Sequence, residues 1–301
     1  MIRLDDTFLR GSYTPVVTPF NDGAVDYTRF AELVDRQARE GSHGIVVTGT
    51  TGEPSSLTID ERAELTKVAV NTIAKRIPVV AATGSQSLSE TIELTSRAEH
   101  SGADALLVVT PYYSKPPQAG LADYFVEIGK RTDLPLLVYH IPGRAAVSIS
   151  ADTLARIAER LPNLVGMKHA ANDLELVTEV LTRLGADFRI FCGLEALSLP
   201  MLAVGAAGLM NAAGNIVPAL VARMCEFVNN GDLAAAQALH LQLFELNRSI
   251  FLDTNPIPLK YMMARMGLLA TPELRLPLVT LDAERSAVLD GVLARAGLVE
   301  S

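Results

Sequence analysis

An eight-stranded parallel α/β barrel of the (β/α)8 TIM type, closed by a C-terminal helical extension, is the fold this sequence predicts. Three observations point to it. Eight short apolar runs alternate with longer amphipathic stretches over residues 1–231. The runs are near-continuously apolar rather than alternating, as parallel strands covered on both faces should be. From Asp232 onward the pattern is wholly helical, which places an extension at 232–301 packed on the barrel. A doubly wound open sheet is the competing architecture. It usually carries a glycine-rich nucleotide turn, and the chain has no G-x-G-x-x-G.

Taken in order, the runs predict strands at 13–18, 44–48, 79–82, 105–109, 136–139, 164–168, 189–192 and 208–211. Between them, apolar residues spaced by three and four predict helices such as 26–40, 59–74, 89–100 and 174–184. Asp26, Thr58, Ser87, Ser150 and Asn172 stand where N-caps belong, since their side-chain oxygens accept from free backbone amides. In the extension, helices are predicted over 232–252, 256–266 and 282–296.

The chain has 301 residues, 49% of them hydrophobic, enough for a full core. A net charge of -8 argues against a nucleic-acid or anionic-membrane surface. It does not oppose an anionic substrate, because a local site can be positive in an acidic protein. No apolar run reaches membrane-span length, and residues 1–10 lack an apolar signal core. Two cysteines, Cys192 and Cys225, show no metal or redox spacing. A cytoplasmic protein with free thiols is the expectation.

Catalytic groups of such barrels gather at the C-terminal ends of the strands. Here those ends supply Gly49-Thr50-Thr51-Gly52-Glu53, Thr110-Pro111-Tyr112-Tyr113, Tyr139 with Pro142-Gly143-Arg144, and Lys168. A strand-end lysine is ordinarily a surface residue. Burial, however, disfavours an ammonium ion, and a neutral amine at a pocket mouth attacks carbonyl compounds. The Gly49–Glu53 turn suits an anion, because glycines let the backbone approach and successive amides form a nest. The bland reading is a tight strand-to-helix turn. Tyr139 falls beside Lys168 on the adjacent strand, and a buried hydroxyl needs a partner. Arg144 can fork onto a carboxylate, although an exposed loop arginine is the default. None of the five histidines shows metal-ligand spacing. His140 and His169 flank Tyr139 and Lys168, and strand alternation turns each away from its neighbour.

With these residues in place, the sequence resembles the dihydrodipicolinate synthase/N-acetylneuraminate lyase family of lysine-dependent barrel enzymes. The resemblance runs almost end to end. It rests on Gly49–Glu53, Thr110–Tyr113, Tyr139–Arg144, Gly166-Met167-Lys168 and Asn255-Pro256-Ile257-Pro258-Leu259-Lys260. It implies a Schiff-base mechanism in which Lys168 forms an imine with pyruvate and needs no cofactor beyond that covalent adduct. It further implies a proton relay of Thr50, Tyr139 and Tyr113, the last from a neighbouring subunit of a homotetramer built as a dimer of dimers. Thr51 would hold the pyruvate carboxylate, Gly193 and Met210 would close around pyruvate, and Arg144 would bind the second substrate. Partners would be small molecules, pyruvate and an aldehyde, with no nucleic acid and no membrane.

Arg144 and the 255–260 segment resemble the synthase branch, whose aldehyde is L-aspartate 4-semialdehyde and whose product, 4-hydroxy-tetrahydrodipicolinate, leads to lysine. Three features depart from that branch. His169 stands where an acidic residue is usual, Gly193-Leu194-Glu195 replaces Gly-Asp-Asp, and Asn211 replaces a small serine. They keep open a related lyase that cleaves another 2-oxo acid to pyruvate. A non-catalytic carboxylate-binding barrel is the reading from another class, and the intact Lys168, Tyr139, Tyr113 and Thr50 set speaks against it. The feedback site of lysine-sensitive relatives would match Ser55, Ile59, Arg62, Gln86, Glu90 and Tyr112. Ile59 and Arg62 replace histidines there and Gln86 an asparagine, so the resemblance does not extend lysine inhibition to this chain.

Overall fold

The structure is a computed structural model and describes residues 1–300. Eight parallel strands close into the predicted barrel. They are β1 (Gly11–Pro15), β2 (Gly44–Val47), β3 (Val79–Ala82), β4 (Ala105–Val109), β5 (Leu136–His140), β6 (Leu164–His169), β7 (Arg189–Cys192) and β8 (Gly208–Leu209). Each strand is followed by a helix. In turn these are α1 (Tyr27–Arg39), α2 (Ile59–Ile73), α3 (Leu88–His100), α4 (Gln118–Gly129), α5 (Ala151–Arg160), α6 (Leu174–Leu184), the short α7 (Ser198–Ala203) and α8 (Pro218–Asn229). Beyond them lie α9 (Leu233–Gln242), α10 (Phe244–Ser249), α11 (Ile257–Arg265) and α12 (Ala283–Arg295). No helix among the described residues is long and apolar enough to cross a membrane.

Alternation divides the core in two. Val46, Val80, Leu107, Leu137, Val165 and Phe191 fill the barrel interior. Ile45, Val79, Val108, Val138, Met167 and Ile190 pack outward against the helices. This two-faced burial is why the strands read as continuous apolar runs.

Several boundaries differ from the sequence reading for identifiable reasons. β1 begins at Gly11 and leaves the ladder at Pro15, rather than spanning 13–18. At its start Gly11 pairs with Gly208, and a Cβ on Gly208 would collide with the Gly11 carbonyl. At its end Asn215 takes over, donating from Nδ2 to the Pro15 carbonyl (2.9 Å) and accepting from the Val17 amide (3.3 Å). Asp173, not Asn172, caps α6, accepting at Oδ1 from the Leu176 amide at 2.9 Å. The other four predicted caps hold, and Thr58 forms a full capping box with Glu61. The helix expected over 232–252 breaks at Leu243, where ψ of -4 unwinds the turn without any Gly or Pro to mark it. A small hairpin, Phe20–Asn21 with Ala24–Val25, turns on Asp22-Gly23, both at positive φ.

One irregularity positions the site. β6 pairs with β5 in register Leu136 with Leu164, then Leu137 with Gly166, so β6 carries one extra residue there. Strict alternation from Leu164 would point Met167 inward and Lys168 outward. The bulge reverses that, so Met167 packs on the helices and Lys168 enters the barrel beside its register partner Tyr139. Gly166 makes this possible, since a Cβ there would overlap the Arg189 carbonyl.

Candidate active site

A cavity of about 230 Å³ opens at the C-terminal ends of the strands. Thr50, Tyr139, Lys168, Gly193 and Met210 reach it from five different strand ends, and Arg144 reaches it from the turn Pro142–Ala145. Lys168 is 5% exposed, and its Nζ lies 4.4 Å from the Tyr139 ring centroid. Tyr139 Oη and Thr50 Oγ1 are 3.4 Å apart, at the long end of hydrogen bonding. Gly193 has no room for a side chain, because a Cβ would sit 2.8 Å from Lys168 Cε. Buried Met210 closes the wall.

Thr51 lies on the 3-10 turn Thr50–Gly52, whose own hydrogen bonds occupy the amides of Gly52 (to Gly49, 2.8 Å) and Glu53 (to Thr50, 3.2 Å). Its hydroxyl receives Asn255 Nδ2 at 3.0 Å. Glu53, at φ of 55°, turns inward to Lys260, with Oε1 2.5 Å from Nζ. Burial pushes the Glu53 carboxyl up and the Lys260 amine down, and their mutual attraction opposes both shifts. Lys260 also donates to the Glu273 carbonyl at 2.7 Å, so the extension is clamped to the turn.

Arg144 is exposed and donates through Nη2 to the Asn255 carbonyl at 3.1 Å. Tyr113 is the one relay candidate that the chain does not bring into the cavity. It sits on the loop after β4, 88% exposed and at φ of 70°. His140 and His169 face each other behind the barrel wall, with their Nδ1 atoms 3.0 Å apart, and His169 Nε2 meets the Asp173 carbonyl at 3.0 Å. Burial, and next the charge of His169, hold His140 down at about 4, and burial lowers His169 too. Of the residues that depart from the synthase pattern, Leu194 and Glu195 stand in the cavity wall. Asn211 turns away to donate to Ser198 Oγ. Arg62, at a feedback-site position, is buried and donates to the Ala82 carbonyl at 2.8 Å.

Sequence reasoning treated Glu195 only as a departure, yet it is the most perturbed carboxyl of the site. Its Oε1 accepts from the Ala212 amide at 2.6 Å, and its Oε2 is buried without a partner. Burial pushes it up to about 7 against the backbone amides of Glu195 itself, Ala212 and Ala213 and the Lys168 charge. The folded value therefore lies above the unfolded one of about 4.3. Stability from this group is present at low pH and is lost as pH rises through the folded value. Glu195→Gln should accordingly melt like the parent below about pH 4 and higher than it above about pH 8, by on the order of a few kcal/mol. Melting curves across that range would refute this if the two proteins lost stability in parallel.

Comparison with known proteins decides the family. Residues 8–296 match the model of the dihydrodipicolinate synthetase family. The chain belongs to that family. It is 45% identical over 291 residues to the 4-hydroxy-tetrahydrodipicolinate synthase of Thermus thermophilus, covering 96% of this chain and 97% of that protein. The dihydrodipicolinate synthase structure from Aquifex aeolicus superposes with a TM-score of 0.95 at 36% identity, covering 97% of this chain and 100% of that one. The 4-hydroxy-tetrahydrodipicolinate synthase structure from Methylacidiphilum fumariolicum SolV gives 0.94 at 38% identity, with 96% of each chain covered. The bulge that turns Lys168 inward is thus a feature of a dihydrodipicolinate synthetase family barrel, at the strand end where its chemistry is expected.

Proposed function

We propose that the chain condenses pyruvate with L-aspartate 4-semialdehyde to give 4-hydroxy-tetrahydrodipicolinate, as a Schiff-base-forming lyase of the class I aldolase type. The observation that carries this reading is a buried lysine amine in a cavity beside a Tyr139–Thr50 hydroxyl pair, with one arginine at the mouth. Lys168 attacks the ketone carbon of pyruvate, and the carbinolamine loses water to leave an imine. Loss of a methyl proton gives an enamine, whose carbon attacks the aldehyde. Attack of the semialdehyde's own amine on the imine carbon closes the ring and releases Lys168. Tyr139 and Thr50 move the protons of these steps. The Thr51 hydroxyl and the amides of Thr50 and Thr51, on the side of the turn away from the occupied Gly52 and Glu53 amides, hold the pyruvate carboxylate, and Arg144 holds that of the semialdehyde. The imine on Lys168 serves in place of any external cofactor.

The exposure of Tyr113 supports assembly with further copies, in which it completes a neighbour's relay within a homotetramer. Two buried free cysteines support a cytoplasmic location.

A coupled assay with pyruvate and a panel of aldehydes tests the substrate. Aspartate semialdehyde should be turned over in preference to the rest. Arg144→Ala should spare borohydride trapping of pyruvate while weakening condensation by a few kcal/mol, the scale of a desolvated bidentate pair, with poor rescue by lysine. No condensation with the semialdehyde, combined with pyruvate release from another 2-oxo acid, would replace the synthase by a lyase whose aldehyde pocket is set by Leu194 and Glu195.

A further inference from the structure

The Asn255–Lys260 segment identifies the family, yet the proposed reaction gives Asn255 no part. It belongs to the linker between α10 and α11, is 7% exposed, and stands in the cavity wall. Its side chain donates to Thr51 Oγ1 at 3.0 Å, and its backbone carbonyl accepts from Arg144 Nη2 at 3.1 Å. One residue of the extension thus touches both groups assigned to substrate carboxylates. Five residues on, Lys260 locks the segment to Glu53 at the end of the Thr51 turn.

A threonine hydroxyl has one proton and two lone pairs. Once the Asn255 amide has donated to that oxygen, the proton must point elsewhere. Without Asn255 the hydroxyl is free to rotate and to present a lone pair to an anion.

We infer that Asn255 is a positioning residue for both carboxylates, its amide fixing the Thr51 hydroxyl as a donor to pyruvate and its carbonyl holding Arg144 over the second substrate. This rests on the carboxylate roles proposed for Thr51 and Arg144. The two arms are chemically separable. The first needs the side chain, whereas the second needs only the backbone and survives truncation. Asparagine also differs here from aspartate, which would accept the Thr51 proton instead of donating and would place a negative charge beside two carboxylates.

A double-mutant cycle in the full-length enzyme tests it. Thr51→Val should raise the pyruvate KM roughly tenfold, Asn255→Ala by a similar factor, and the double variant no further than about either alone. At saturating pyruvate kcat should stay within a few-fold of the parent, and the semialdehyde KM should change little in Asn255→Ala, in contrast to Arg144→Ala. Asn255→Asp, which preserves shape if alanine impairs folding, should raise the pyruvate KM more than alanine does. Multiplying effects in the double variant, or a parental pyruvate KM in Asn255→Ala or Asn255→Asp while Thr51→Val is impaired, overturns the inference alone. A parental pyruvate KM in Thr51→Val removes the carboxylate reading of Thr51 and the inference with it.

Discussion

Lys168→Ala is expected to abolish turnover, with a loss of at least about a thousandfold, because it removes the nucleophile itself. Borohydride added with pyruvate should fix one reduced pyruvate on the parent enzyme, on the peptide containing Lys168, and none on the variant. Lys168→Arg should not restore either activity, since a guanidinium stays protonated and cannot form the imine. Lys260 is the informative control. It too is a buried lysine, but its amine is held between Glu53 Oε1 and the Glu273 carbonyl and is absent from the cavity wall. Mass-spectrometric detection of the adduct on Lys260, or persistent trapping in Lys168→Ala, would overturn the assignment.

The barrel was legible because its strands are buried on both faces and their apolar runs need no partner to be seen. The placement of Lys168 was legible only in part. The run from Leu164 puts a lysine at a strand end, but strict alternation puts it on the wrong face. The reversal comes from one extra residue at Val165-Gly166, where the missing Cβ of Gly166 relieves a clash with a neighbouring strand that the local sequence does not contain. The same holds for the shift of β1, which follows from the Gly11–Gly208 approach and from Asn215, both remote in sequence. Asn172 and Asp173 are adjacent and both are competent caps, so the backbone decided between them. The break at Leu243 carries no residue signal at all.

Charge was the least transferable cue. The net charge of -8 describes the surface, whereas the cavity gathers Lys168 and Arg144 against the single buried Glu195. Glu195 was visible in the sequence as an acidic residue near a strand end. Its perturbation depends on full burial and on the unpartnered Oε2, which only the packing of the loops after β7 and β8 creates. Asn255 shows the converse, since its motif was plain and its contacts with Thr51 and Arg144 were not.

Tyr139→Phe keeps the ring that covers the Lys168 amine and deletes the hydroxyl that meets Thr50. Turnover should fall by about a hundredfold or more, the scale of general acid–base catalysis, and Thr50→Val should match it. Pyruvate should still be trapped on Lys168 in both variants, only more slowly, because the nucleophile remains. Near-parental turnover in both would end the relay proposal. The third member demands a different experiment, because Tyr113 lies outside its own chain's cavity. Tyr113→Phe should be impaired on the same scale. Mixed and reassembled with Lys168→Ala subunits, it should recover part of the lost activity. A hybrid pair then contains one site with Lys168 from the first variant and the Tyr113 hydroxyl from the second. If Tyr113 served its own chain instead, each subunit in the hybrid would still lack one essential group, and mixing would restore nothing.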